Sequence, residues 1–118
     1  MPTRIINKTR ERVLADSAHL ACSYWERLIG LMGRKALAQG EGLIIDPCSS
    51  VHMFWMRFAI DVIYVNKAHV IVGIDHDLRP WHIGHFYRKV WYVVELPAGK
   101  AFETGTLVGD RLILENLE

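Results

Sequence analysis

The chain has 118 residues, 51% hydrophobic and 23% charged, which suits one ordinary globular domain spanning residues 1–118 and leaves no room for a second. Its 14 basic and 13 acidic residues nearly cancel, so no long-range field gathers nucleic acid or an anionic membrane. No apolar run approaches the roughly 20 residues of a membrane helix, and "MPTRIINKTRER" is not followed by the apolar core of a signal peptide, so a cytoplasmic location is expected.

In chain order, "RIIN" and "ERVLADSA" are the first two predicted strands. "SYWERLIGLMG" then changes period. Ser23 followed by Glu26 is a capping-box pattern, Leu28, Leu31 and Met32 share one face, and Gly33 is placed to stop the turn. Beyond this short helix come "GLIID", "SVHMFWMRFAIDVIYV", "AHVIVGID", "KVWYVVEL" and "DRLILENL", all rich in β-branched and aromatic residues and separated by turn formers. "AGKAFETG" suggests one more helical turn. Six to eight short strands with one or two helices predict a mostly β domain, an antiparallel sandwich or barrel. Only one helical crossover is available to support parallel pairing.

The motifs "GLMGRKAL", "EGLII", "HMFWMRFAIDVIYV", "LRPW", "VVELPAG" and "GTLVGDRL" occur in the order and spacing of a widespread prokaryotic family, the domain of unknown function 192. The resemblance runs from about Ala15 to Leu114. It implies a single compact β-rich domain and brings no established activity. Relatives often carry proline where this chain has Ala59, and a bulky residue where it has Gly33. Many relatives resemble secreted or lipid-anchored proteins with an added leader, whereas this chain resembles a cytoplasmic branch.

Residues 50–65 pose the main question, because a strand-like run there carries His52, Arg57 and Asp61. In an unbroken strand Trp55, Arg57 and Asp61 share one face, and His52, Phe54, Met56 and Phe58 the other. Arg57 and Asp61 then stand about 13 Å apart, too far for an ion pair. A bulge near Ala59 is the favoured reading, and it moves Asp61 to the His52 side.

Asp61 and Glu95 are each flanked by aliphatic residues, so an unpaired charge at either is costly. One reading makes them structural, ion-paired to Arg27, Arg34 or Arg57 or bonded to backbone N–H groups. The other makes them, with His52, an acid–base pair of a hydrolase, which requires a separation of roughly 5–10 Å. His76, beside Asp75 and Asp77, and His82 and His85 are residue types that bind zinc. They fall in a connecting loop and are read as ordinary polar residues, so no metal and no cofactor is expected. Cys22 and Cys48 are too few and too far apart for a disulfide framework and are read as free thiols. The leading functional expectation is a small non-enzymatic binding or accessory domain that takes a small molecule or a protein. Its groove is assigned to Arg34, His52, Trp55, Arg57 and Trp81.

Overall fold

Seven strands and two short helices follow one another as β1 (Thr3–Asn7), β2 (Arg12–Ala21), α1 (Tyr24–Ile29), β3 (Glu41–Ile45), β4 (Ile60–Val65), β5 (Ile71–Leu78), β6 (Tyr92–Pro97), α2 (Lys100–Glu103) and β7 (Leu112–Asn116). The computed structural model describes residues 2–116, with the side chains of Tyr24, Trp25 and Leu28 outside the description. The predicted place of Leu28 on the helix's apolar face therefore falls outside the described residues. All seven strands join one sheet in the order β5-β4-β6-β3-β2-β1-β7.

That sheet curls strongly into a half-barrel, so the mostly β expectation holds in the form of one curled sheet. Pairing is antiparallel except between β2 and β3. The parallel step is where α1 supplies the crossover that such pairing needs. Register shifts between β1 and β2 add local twist, which helps the sheet bend on itself.

Helix α1 begins as its sequence dictates. Ser23 Oγ accepts from the Glu26 N–H at 3.1 Å, while the Ser23 N–H donates to Glu26 Oε1 at 3.2 Å. The helix ends at Gly30, whose φ is 52°, three residues before the predicted stop at Gly33. The Gly30 N–H still donates to the Glu26 carbonyl, while its positive φ with ψ of −124° turns the chain out of the helix in a conformation that glycine adopts without a Cβ clash.

Alternation along the central strands divides the core by face. Leu43, Ile45, Val62, Tyr64 and Val93 belong to one cluster, together with Leu31, Val51, Met53 and Met56 from the loops. Ile44, Ile63, Val65, Val94 and Leu96 belong to the other, with Ile5, Leu14 and Leu112. Such two-sided burial gives the continuous aliphatic strands seen at β4 and β6.

Residues 50–65 are not one strand. Regular pairing begins at Ile60, and the segment before it is loop. Val51, Met53 and Met56 point into the core while His52, Phe54, Trp55 and Arg57 are exposed, a spacing that no period of two produces. Trp55 has φ of 68°, which a strand cannot hold. The face that Asp61 takes is therefore not set by counting alternate residues from His52.

Candidate functional site

Two loops meet at one end of the sheet, residues 46–59 between β3 and β4 and residues 79–91 between β5 and β6. The Met53 N–H donates to the His82 carbonyl at 2.7 Å, the Trp81 N–H to the Met53 carbonyl at 2.8 Å, and the Gly84 N–H to the Val51 carbonyl at 2.8 Å. Buried Met53 anchors the pair of loops from below. Above it lies a shelf of aromatic rings. The centroids of His52 and Phe54 are 5.0 Å apart, those of Phe54 and Trp81 6.0 Å, and those of Trp55 and Trp81 4.9 Å, edge to face.

Trp55 is 65% exposed and Trp81 57%. Both are left-handed, with φ of 68° and 67°. A bulky L-residue in that region is strained by about 1–2 kcal/mol. His52 Nδ1 accepts from the Phe54 N–H at 3.3 Å, which leaves Nε2 as the free ring nitrogen. Arg57 is exposed two residues beyond Trp55 on the same loop.

Beneath the shelf's His52 edge is a cavity of about 80 Å³, lined by Arg27, Met32, Cys48, His52, Met56 and Glu95 among others. Glu95 is only 5% exposed, and no hydrogen bond reaches its carboxyl from the described residues. Burial pushes it up to about 7, because desolvation penalises the charged form. The Cys48 thiol, which donates to the Ser50 carbonyl at 3.1 Å, is raised by burial as well. Arg27 reaches the cavity from α1, with one Nη donating to the Pro47 carbonyl at 3.3 Å.

A third arrangement surrounds Asp75 on β5. Its carboxylate accepts from the Tyr64 hydroxyl at 2.7 Å, the His85 N–H at 2.9 Å and the Tyr87 hydroxyl at 2.9 Å, and His85 Nδ1 stands 2.7 Å away. Burial alone would raise this carboxyl, but the donors hold it below the ordinary carboxylate value. Burial together with the bond to Asp75 pushes the Tyr87 hydroxyl up to about 12, and Tyr64 moves in the same direction. Two glycines make the cluster fit. A Cβ at Gly73 would collide with the Tyr87 ring, and one at Gly84 with the Tyr64 hydroxyl. The His85 ring is 79% exposed beside a cleft of about 320 Å³, so a buried carboxylate orients an imidazole whose Nε2 faces solvent.

The sequence-derived candidates separate by place. His52, Trp55 and Trp81 come together. Arg34 is elsewhere, paired with Glu41 at 3.3 Å beside β2 and β3. Asp61 lies opposite Leu96 in the β4–β6 register, and Val62 lies opposite Glu95, so Asp61 and Glu95 project from opposite faces of the sheet. Asp61 is therefore not on the His52 side. It accepts from the backbone N–H groups of Asp77, Gly99 and Ala101 at 2.9, 3.1 and 2.9 Å, tying β5 and the start of α2 to β4.

His76 stacks on Phe102 with ring centroids 4.4 Å apart, and His82 Nδ1 is 3.0 Å from the Pro80 carbonyl. Among the described residues no three His, Cys, Asp or Glu side chains are grouped to hold a metal ion. The Asp75 cluster and the meeting of Glu95, Cys48 and Arg27 around one cavity escaped sequence reasoning. Gly84 inside "WHIGH" was the one local signal for the former, as a position where another chain segment comes close.

The described residues contain no helix long and apolar enough to cross a membrane. A UPF0127 protein of Pyrococcus furiosus is 33% identical over 111 residues, which cover 92% of this chain and 95% of that protein. A solved protein of unknown function from Novosphingobium aromaticivorans shares the fold with a TM-score of 0.81 at 23% identity, over 96% of this chain and 84% of the other. A second solved structure, from Sinorhizobium meliloti, has a TM-score of 0.78 at 26% identity, covering 95% of this chain and 91% of its own. Residues 5–114 match DUF192, described as an uncharacterized ACR, and on that match and the archaeal relative the chain belongs to the DUF192 (UPF0127) family.

Proposed function

We propose that the protein is a small-molecule-binding domain whose site is the shelf of His52, Phe54, Trp55 and Trp81, with Arg57 as the cation at hand. The observation that carries this reading is the pair of tryptophans that are at once exposed and left-handed. Packing does no more than offset that strain, since more than half of each tryptophan's surface is exposed, and strained backbone held by its surroundings is a feature of binding loops. Exposed aromatic faces with a free imidazole nitrogen and a guanidinium suit a flat or sugar-like ligand bearing a carboxylate. The bonds between the loops set the shelf before any ligand arrives, which lowers the ordering cost of binding. Cys22, exposed and unpaired among the described residues, fits a reducing compartment and hence the cytoplasm.

Titration with sugar acids and aromatic carboxylates, followed by tryptophan fluorescence, tests the reading. The emission should change saturably, and Trp81→Phe should remove most of the change while lowering stability by less than about 1 kcal/mol. A response that survives in both Trp81→Phe and Trp55→Phe would place binding elsewhere.

A further inference from the structure

The cavity under α1 is a separate matter from the shelf, although His52 forms part of both. Its distinguishing feature is a carboxyl that the fold has buried and left without a protein donor among the described residues. No side-chain oxygen or nitrogen among the described residues is both sealed from solvent and unpartnered, so the Glu95 oxygens open onto the cavity and take their donors from whatever fills it. Arg27 lines the same cavity and forms no ion pair with Glu95. The only hydrogen bond of its side chain among the described residues is the 3.3 Å contact to the Pro47 carbonyl, which leaves most of the five guanidinium donors without a protein acceptor.

The remaining wall is mostly apolar, from Met32, Met56 and their neighbours, and the Cys48 thiol is already committed to the Ser50 carbonyl. A hydrogen-bond-accepting carboxyl and a donating guanidinium thus face one small space without pairing with each other. A simple cation entering would meet Arg27, and a simple anion would meet Glu95. A molecule carrying both charges close together satisfies both walls, and the volume of about 80 Å³ limits it to a few heavy atoms, given that a cavity of roughly 150 Å³ is what benzene occupies.

We infer that this cavity binds a small zwitterion, an α-amino acid with a short apolar side chain, with its ammonium on Glu95, its carboxylate on Arg27 and its side chain against the two methionines. The ammonium supplies donors that the buried carboxyl lacks. The guanidinium fork accommodates a carboxylate with two parallel bonds. Binding involves no covalent step.

The test is nuclear magnetic resonance of the full ¹⁵N-labelled chain titrated with L-alanine, and with ethylammonium and propionate as analogues bearing one charge each. Alanine should shift the amides of Val94, Glu95 and Leu96 and those of residues 48–51 saturably. Each analogue should bind at least tenfold more weakly, and Glu95→Gln and Arg27→Met should each weaken alanine at least tenfold. No saturable shift at these amides up to ~100 mM alanine, a range beyond any useful affinity, overturns the inference. So does ethylammonium binding as well as alanine with Arg27→Met unaffected, since the site would then serve a plain cation. If Glu95→Gln does not fold, Arg27→Met and the analogue series decide the matter by themselves. Trp81→Phe should leave alanine binding unchanged, so a failure here and a failure of the shelf are told apart.

Discussion

Asp61 and Glu95 occupy neighbouring strands, both between aliphatic residues, and the sheet treats them in opposite ways. Asp61, fully buried, receives three backbone N–H groups from β5 and the start of α2. Glu95 is offset by one register position, so it emerges on the other face, where a cavity stands in place of donors. The same contrast extends outward. On the Asp61 face, Ile5 and Leu112 close the core, and nearby Asp110 is met by Asn7, Arg10 and the Leu107 N–H. On the Glu95 face the cover is made of loops, with strained and exposed tryptophans above a partly filled interior. A carboxylate in an aliphatic setting is therefore not one kind of residue. Its role depends on which face it takes and on whether the chain returns to it with N–H groups.

The largest expected effect breaks the closed side. Asp61→Ala orphans the N–H groups of Asp77, Gly99 and Ala101 and should cost about 2–4 kcal/mol. Urea unfolding measures the loss, and amide exchange at Ala101 should accelerate with it. Wild-type stability in this variant would mean that the three N–H groups find other acceptors, and the contrast between the two carboxylates would collapse.

Glu95→Gln probes the open side and carries a sign. The ordinary glutamate value is 4.5, and burial raises Glu95 to about 7, so between those pH values the folded chain holds a proton that the unfolded chain has released. Rising pH therefore favours unfolding across that window. Stability should fall by about 1–3 kcal/mol between its ends and level off above it. Arg27, Cys48 and His52 share the cavity, and Tyr64 feels the Glu95 charge from β4, so His52→Ala serves as the control for the imidazole. Glu95→Gln should flatten the limb, and calorimetry at pH 5 and pH 8 would show it. Asp75 and Asp110 act in the other direction and elsewhere on the scale. Burial works against both, but their donors hold them below the ordinary 3.8, and the stability they contribute is lost only as pH falls through that acid region. A limb that persists in Glu95→Gln would assign the titration to another group.

These differences also mark where the sequence could be read and where it could not. The Ser23–Glu26 box, the strand-rich composition and the single crossover were local signals, and α1 and the parallel β2–β3 step follow from them. The face taken by Asp61 was not local, because it depends on where pairing resumes after residues 46–59. Those loop residues are as rich in apolar and aromatic side chains as a strand, yet Val51, Met53 and Met56 are buried from a loop backed by a second loop rather than by sheet pairing. Trp55 and Trp81 were recognisable as residues that could floor a cleft. Their left-handed backbone was not, since aromatic residues normally avoid that region. The Asp75 cluster gathers side chains from β4, β5 and the following loop, and only the collision that a Cβ at Gly84 would make connects it to a position in the sequence. The cavity at Glu95 is likewise defined by α1 and a loop whose distance from β6 no spacing encodes.

The smallest expected change in stability sharpens the comparison most for the shelf. Trp55 holds φ of 68° with 65% of its surface exposed. Trp55→Gly would release roughly 1–2 kcal/mol of backbone strain while losing the contact of its ring with Trp81 and its modest burial, together about 1–2 kcal/mol. Glycine also widens the unfolded ensemble by a further fraction of a kcal/mol. These contributions nearly cancel, so the melting midpoint should move by no more than the equivalent of about 1 kcal/mol. Binding at the shelf should meanwhile drop at least tenfold, because the face that contacts the ligand is gone. A loss of stability well beyond that bound would show that Trp55 holds the loops together, and the strain at that position would then belong to the fold rather than to a ligand site.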